Sequence, residues 1–172
     1  PEWLYADLGA QGIGARSVGI YQTNPDEDVA YILNHSDSDI LFCEDQEQVD
    51  KAIAIADETP QVRHVVVFDP RGTRNYEDRR LMTFKEFTEK GRELLERDPE
   101  WFDRKVDERS ADEVSMIVYT SGTTGAPKGA RLTPRNALET ARDFVPMLGV
   151  DADDSILSYL PLRHVADKIF TF

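Results

Sequence analysis

Short apolar runs alternate with helical patterns along most of this 172-residue chain, and this alternation limits its possible folds more than any other feature. The strongest strand signal is at residues 62–68, which are rich in β-branched side chains and are predicted to lie in the middle of a sheet. Helices are predicted on either side of it, at residues 46–57 and from a capping box at Thr83 to about Arg97. Because strands that alternate with helices form a mostly parallel sheet with helices on both faces, we predict an α/β fold.

Weaker patterns predict the remaining elements. Asn24, Pro25 and Glu27 form a helix start, in which Asn24 caps the first turn and Glu27 reaches back to it. Residues 98–112 are acidic and show no periodicity, so they are predicted to be irregular. Further helices are predicted at 2–11 and from Thr133 and Pro134 onward, strands at 17–21, 39–43, 114–119 and 154–160, and a surface loop at 69–80. The helix that starts at Thr83 is predicted to bury Phe84, Phe87, Leu94 and Leu95. The helix that starts at Thr133 is predicted to have an apolar face of Ala137, Leu138, Ala141, Phe144, Val145 and Leu148.

Residues 119–129, with the sequence YTSGTTGAPKG, follow one of these predicted strands and have the composition of an anion-binding loop. Glycines let the backbone approach an anion closely. Hydroxyl and backbone N–H groups donate hydrogen bonds, and Lys128 adds a positive charge. Because ligands of parallel sheets bind at the carboxyl ends of the strands, we predict a polyphosphate-binding loop. A turn of the same composition that binds no ligand is the alternative.

Two other motifs of similar composition are excluded. A Walker A loop needs glycine where Pro127 stands and serine or threonine where Gly129 follows Lys128. The nucleophile elbow G-x-S-x-G needs glycine in place of Tyr119. Ser121 is therefore predicted to bind phosphate or to position the substrate, and not to be acylated.

The charge balance excludes one class of partner. The chain has 33 Asp and Glu against 20 Lys and Arg, a net charge of −13. Such acidity repels the phosphates of nucleic acids and disfavours an anionic membrane as the main docking surface. A bound nucleotide therefore needs local positive charge, which Lys128 and Arg131 are predicted to supply.

The single cysteine, Cys43, lies in an apolar run and is predicted to be a small buried side chain without a disulfide. No signal peptide or membrane-spanning stretch is visible, and the three histidines lack metal-ligand spacing. A cytoplasmic location is predicted, and peripheral membrane contact of the parent protein stays open. Because the chain starts at Pro1 and stops at Phe172 within helical patterns, we expect it to be a piece of a longer protein.

Residues 119–129 closely resemble the phosphate loop of the acyl-adenylate-forming (AMP-binding) superfamily, which includes acyl-CoA synthetases, peptide-synthetase adenylation domains and luciferases. Residues 8–21, 24–25, 31–36 and 40–44 are similar to the superfamily's early Rossmann-like segment. The resemblance implies a partial N-terminal AMP-binding domain with a Rossmann-like, mostly parallel sheet and helices on both faces.

Residues 159–168 resemble a segment of long-chain fatty acyl-CoA synthetases, although Arg163 stands where a small residue is usual. An Arg163 side chain in the acyl pocket would shorten or polarise it, and one in solvent would have no effect. By this resemblance the whole chain is part of the large N-terminal domain, with 1–112 as its early segment and 113–172 as its phosphate-loop segment. His164 is implied to line the carboxylate site, and a packed histidine at a turn is its alternative.

The resemblance implies a fatty acid–CoA ligase that uses ATP, Mg²⁺ and coenzyme A. Its members join a carboxylic acid to AMP with release of pyrophosphate, and then transfer the acyl group to coenzyme A. Lys128 and His164 are implied to be catalytic, and Thr120 to contact Mg²⁺. The implied nucleotide-binding residues are Thr120, Ser121, Gly122, Thr123, Thr124, Gly125 and Lys128.

Several parts of the superfamily's machinery are not found in this sequence. These are the Y-G-x-T-E segment whose glutamate binds Mg²⁺, the aspartate that holds the ribose, and the C-terminal domain with its catalytic lysine. We therefore expect these 172 residues alone to form no acyl-CoA. An adenylation enzyme that loads a carrier protein and a non-catalytic nucleotide-binding module stay open as alternative functions.

Overall fold

The structure is a computed structural model that describes residues 2–120, 126–149 and 153. The predicted strand at 154–160 lies outside the described residues. In chain order the described elements are α1 (Glu2–Gly12), β1 (Ser17–Gly19), α2 (Asp26–Ser36), β2 (Ile40–Cys43), α3 (Gln46–Ala54), a 3₁₀ turn (Ala56–Glu58), β3 (His64–Val67), β4 (Leu81–Thr83), α4 (Phe84–Arg97), α5 (Trp101–Asp107), β5 (Met116–Thr120), β6 (Lys128–Leu132) and α6 (Pro134–Leu148).

The strands of the described residues pair into two three-stranded sheets, with the orders β2-β3-β4 and β1-β5-β6. β3 is parallel to both of its neighbours, as predicted for the centre of a sheet. β1 and β5 are also parallel, whereas β5 and β6 are antiparallel. The α/β fold with mostly parallel pairing is therefore confirmed, but these strands form two sheets instead of one.

The β2-β3-β4 sheet is covered by helices on both faces. On one face, Val65 and Val67 of β3 pack in one cluster with residues of α2 and α3 such as Leu33 and Val49, all of them at most 2% exposed. Strand alternation turns Val66 to the opposite face, where it is also fully buried. Because each buried valine contributes about 1.5–3 kcal/mol, this small sheet is the stable centre of the fold.

Four phenylalanines cover that opposite face. Phe42 and Phe68 are stacked with ring centroids 5.9 Å apart, and Phe84 of α4 meets Phe68 edge-on at 5.2 Å. Phe87 meets Phe42 edge-on at 5.3 Å. The prediction of a buried apolar face on α4 is therefore confirmed for its first turn, but Leu95 at the other end of the helix is 41% exposed.

Helix boundaries follow the predicted capping motifs with one exception. Thr83 and Glu86 form the predicted capping box of α4, and Thr133 forms another at the start of α6. The predicted Asn24 cap is wrong: α2 begins at Asp26, and the Pro25 carbonyl accepts the first helical bond, from Val29 N–H at 3.1 Å. Proline precedes the helix here because its φ of −68° suits an extended ψ as well as a helical one.

Three further sequence predictions need correction. The segment 98–112 was predicted to be irregular but contains the short helix α5, which Arg104 ties back to Asp98. α3 ends at Ala54, because the chain tightens there into the 3₁₀ turn. β4 and β6 were not predicted, since strands of 3 and 5 residues with mixed polarity give little periodic signal.

α6 has the predicted position, but its apolar stripe is not buried within the described part of the chain. Leu138 and Leu148 are 64% and 54% exposed, and Val145 is 48% exposed. A helix buries its stripe only where another element packs against it, and periodicity alone does not supply that element.

None of the helices in the described ranges has an 18-residue stretch apolar enough to cross a membrane.

Candidate active site at the β5–β6 hairpin

The candidate site lies where β5 ends at Thr120 and β6 begins at Lys128. The two strands are antiparallel, and Thr120 and Lys128 are direct partners in their register. Directly opposed residues of antiparallel strands project to the same face, with Cβ atoms about 4.5–5.5 Å apart. The fold therefore brings together two of the predicted site residues, a hydroxyl and an ammonium group.

Both side chains are accessible to a ligand. Thr120 and Lys128 are exposed, and Lys128 has no ion-pair partner among the residues that the structure describes. An unpaired cation in a chain of net charge −13 attracts an anion locally. Ser121, Gly122, Thr123, Thr124 and Gly125, as well as His164, lie outside the described residues.

Arg131 does not share this face. It is the register partner of Ile117, three residues before Thr120. Because successive strand residues alternate between faces, Arg131 and Lys128 project to opposite sides of the hairpin. Of these two cations, Lys128 supplies positive charge beside Thr120 and Arg131 does not.

The side of the hairpin opposite Thr120 is fixed to helix α2. Tyr119 is 9% exposed, and its hydroxyl oxygen lies 2.7 Å from Nδ1 of His35. The hydroxyl of Tyr31 donates to the carbonyl oxygen of Pro127 at 3.1 Å. Tyr31 and His35 stack with centroids 5.4 Å apart, and both meet the Tyr119 ring edge-on.

The protonation state of Tyr119 follows from its surroundings. Burial raises the pKa of Tyr119, the nearby Tyr31 raises it further, and a contact with Ser36 opposes the shift. The phenol therefore keeps its proton at neutral pH and is available to donate to Nδ1 of His35. In this contact either the phenol donates to Nδ1 or Nδ1–H donates to the phenol oxygen, depending on the His35 tautomer.

Gly129 is required by close packing at this hairpin. A Cβ atom there would lie 2.9 Å from Cγ2 of Ile117 and 3.2 Å from Cζ of Tyr119. Both contacts are closer than ordinary van der Waals distances. The last glycine of the 119–129 segment therefore makes room for the Tyr119 ring.

Sequence reasoning assigned no role to Tyr31 and His35, although both lie in the stretch 31–36 that resembles the superfamily's early segment. The signal was present as an aromatic pair at i and i+4 on a helix whose other face is apolar. Their contact with residues 119 and 127 was not visible, because it spans 84 and 96 positions of the chain.

The described residues contain no cluster of three acidic, histidine or cysteine side chains that could hold a metal ion. The Thr120 hydroxyl is a single oxygen donor. It fits Mg²⁺ that is held mainly by water and substrate phosphates, which is how this ion is commonly bound.

A cavity of ≈ 440 Å³ lies elsewhere, at the carboxyl ends of β3 and β4. Its walls include two cations, Arg71 and Arg74, and two carboxylates, Asp78 and Glu86. Because these charges balance and none of these residues belongs to the hairpin, the cavity is not part of the candidate site.

Comparison with known proteins decides the family. The family described as "AMP-binding enzyme" matches residues 1–172, which is the whole chain. The chain belongs to the AMP-binding enzyme family. The resemblance drawn from residues 119–129 is thereby confirmed.

Relatives and solved structures agree with this assignment. The long-chain-fatty-acid–CoA ligase ACSBG2 of Xenopus laevis is 30% identical over 172 residues, which are 98% of this chain and 23% of that protein. MatB of Rhodopseudomonas palustris, solved with ATP bound, superimposes with a TM-score of 0.66 at 21% identity, over 98% of this chain and 30% of its own. The anthranilate CoA ligase AuaEII, solved with anthranoyl-AMP, gives 0.60 at 21% identity, over 82% and 24%. At such identities the two structures establish the shared fold, and this AMP-binding chain spans about a quarter of its curated relative.

Proposed function

We propose that this chain is the phosphate-binding part of a long-chain fatty acid–CoA ligase. The observation that carries the proposal is the opposition of Thr120 and Lys128 at the end of the β5–β6 hairpin, where Lys128 forms no ion pair with any residue in the described ranges. The curated relative is a long-chain-fatty-acid–CoA ligase, which favours a fatty acid as substrate and coenzyme A as acceptor over a carrier protein or a purely binding role. The buried, unpaired thiol of Cys43 is consistent with a cytoplasmic location.

The proposed reaction has two steps. In the first, an oxygen of the carboxylate attacks the α-phosphorus of ATP, the bond from that phosphorus to the oxygen that bridges to the β-phosphate breaks, and pyrophosphate leaves with the electrons of that bond, which gives acyl-AMP. In the second, the thiol of coenzyme A loses its proton and attacks the acyl carbon, and AMP leaves with the electrons of the broken C–O bond. Neither step needs a nucleophile from the protein, so catalysis depends on orientation and on charge neutralisation.

The described residues have two roles in this scheme. Lys128 is proposed to attract the β- and γ-phosphates and to neutralise charge that builds up on the departing pyrophosphate. At a separation of ~4 Å and an effective dielectric constant near 20, one such charge pair is worth about 4 kcal/mol before desolvation. The Thr120 hydroxyl is proposed to donate to a phosphate oxygen or to contact Mg²⁺, which when bound shields the phosphate charge.

The segment between them completes the proposal. Backbone N–H groups of residues 121–125 and the hydroxyls of Ser121, Thr123 and Thr124 are proposed to hold the phosphates. Gly122 and Gly125 are proposed to let the backbone approach them. His164 is proposed to line the carboxylate site, by resemblance alone.

The test is ATP–pyrophosphate exchange by the full-length protein that carries this chain. A panel of acids from acetate to long-chain fatty acids and aryl acids identifies the substrate, and we expect exchange with long-chain fatty acids. Lys128→Ala is expected to lower kcat/KM at least about tenfold, since one cationic contact is lost. The matched control is Lys85→Ala, which removes another exposed lysine, from α4. Exchange unchanged by Lys128→Ala contradicts the role of Lys128, and no exchange with any acid contradicts the proposed function.

A further inference from the structure

Helix α2 contacts both ends of the connection between β5 and β6. At one end, Tyr119 precedes Thr120 and its hydroxyl is hydrogen-bonded to His35 at 2.7 Å. At the other end, Pro127 precedes Lys128 and its carbonyl accepts from the Tyr31 hydroxyl at 3.1 Å. Two side chains of one helix therefore hold the residues next to both members of the Thr120–Lys128 pair.

The helix is a rigid support for these contacts. Ile32 and Leu33, which lie between Tyr31 and His35 in sequence, are 2% and 1% exposed. Leu33 belongs to the hydrophobic core beneath the β2-β3-β4 sheet. Because Tyr31 and His35 are four residues apart, they project from the same side of α2 and stack on each other. Their positions are therefore fixed by the core and not by the hairpin.

The hairpin needs such a support, because β6 is an edge strand of the β1-β5-β6 sheet within the described residues. β5 pairs with β1 on its other side, whereas β6 pairs with β5 alone. An edge strand is hydrogen-bonded to a neighbour on one side, and Lys128 is the first residue of this one. Besides its pairing with β5, this end of β6 is tied to helix α2 by the Tyr31 bond to Pro127.

We propose that Tyr31 and His35 are positioning residues, which hold Thr120 and Lys128 at the separation that binds the polyphosphate of ATP. The inference rests on the proposed function. A cation that must meet a phosphate gains from being held in place, because ordering it on binding costs conformational entropy. The two α2 side chains act through the hairpin and touch no substrate themselves. Loss of either one lowers ATP affinity while the fold stays intact.

The variants isolate single hydrogen bonds in the full-length protein. Tyr31→Phe keeps the ring stack and removes the donor to Pro127. His35→Leu removes the nitrogen that is hydrogen-bonded to Tyr119, and His35→Gln returns an amide, which can accept or donate, to nearly the same place. The matched control is Tyr76→Phe, which also removes a hydroxyl that bridges two elements, here to Asp50 and Gln46 of α3 and remote from the hairpin.

Two readouts separate the inference from the proposed function. We expect Tyr31→Phe and His35→Leu to raise KM for ATP about two- to tenfold, which is the range that one net hydrogen bond supplies. We expect kcat, the melting temperature and KM for the acid to stay near the wild-type values, and His35→Gln to restore much of the loss. In the ligand-free protein, amide hydrogen exchange over residues 116–132 should accelerate in the same two variants and not in Tyr76→Phe.

The inference is overturned if these variants leave both the KM for ATP and the rate of amide hydrogen exchange at residues 116–132 unchanged. An equal loss of kcat and stability in all variants including Tyr76→Phe also overturns it, because that pattern describes general destabilisation. If the wild-type protein shows no ATP–pyrophosphate exchange with any acid, the proposed function fails. The hydrogen-exchange comparison then still decides whether α2 holds the hairpin.

Discussion

The same substitution is expected to have opposite effects at two glycines of this chain. At Gly129, the Cβ atom of alanine would lie 2.9 Å from Ile117 and 3.2 Å from Tyr119. At Gly91, in the interior of α4, the same Cβ atom would have no neighbour within 4 Å. Neither glycine has a positive φ, so backbone strain does not enter the comparison.

The expected change in the free energy of unfolding for Gly129→Ala is the difference between a steric cost and an entropic gain. Forcing an extra carbon into a packed site costs about 1–3 kcal/mol. Alanine also restricts the unfolded chain, which stabilises the folded state by about 0.4–1 kcal/mol. Gly129→Ala is therefore expected to destabilise by roughly 0.5–2 kcal/mol. Gly91→Ala has no steric cost and is expected to stabilise by about 0.5–1 kcal/mol, because alanine is the better helix former.

The assay is urea unfolding of both variants beside the wild-type protein. Because a longer protein need not unfold in one step, native-state hydrogen exchange over β5–β6 and over α4 supplies the local free energies. We expect a lower urea midpoint and faster exchange over β5–β6 for Gly129→Ala, and slower exchange over α4 for Gly91→Ala. A Gly129→Ala protein as stable as Gly91→Ala would refute the packing argument, since the Tyr119 ring would then not lie against residue 129.

Two further predictions concern titratable groups. Burial, with a smaller effect of Asp45, raises the pKa of Cys43 to about 12, so iodoacetamide at pH 8 should label it far more slowly in the folded protein than in urea. Mass spectrometry of the peptide that contains Cys43 measures both rates, and equal rates would contradict its burial. Hydrogen bonds from Arg80 lower the pKa of Asp78 in the folded protein. The pair therefore stabilises the fold at pH values above the ordinary aspartate pKa of about 3.9. This stabilisation is lost as the pH falls through the pKa that Asp78 has in the folded protein. Asp78→Asn should cost about 1–2 kcal/mol at pH 7, and its difference from the wild type should shrink in urea titrations as the pH falls below about 4. A difference that stays undiminished as the pH is lowered further would exclude the ion pair as its cause.

Local patterns predicted most of the elements, because their signals lie within a few residues. The Thr83 capping box and the β-branched strand at 62–68 are examples, and each was found where the sequence placed it. Where the local signal was short or mixed, prediction failed. β6 has the sequence KGARL, in which apolar and polar residues alternate too weakly to indicate a strand.

The chemistry of the candidate site was also largely present in the sequence. The hydroxyls, glycines and lysine of residues 119–129 predicted a phosphate loop. The AMP-binding family match confirms the superfamily resemblance that the same residues show. The individual roles of Thr120, Lys128 and the residues between them stay predictions. So does the role of His164.

The sequence by itself determined the α/β class, because short-range periodicity records which segments are helical or extended. The resemblance of residues 119–129 to a known phosphate loop determined the family. Tertiary structure decided which groups meet. It pairs β1 with β5 across about a hundred residues, places Thr120 opposite Lys128, and brings Tyr31 to a carbonyl 96 positions away. It also separates Arg131 from Lys128 and leaves the apolar stripe of α6 exposed in the described residues. Such contacts depend on strand register and on helix packing, which are settled by the burial of the whole core and leave no periodic trace in the local sequence.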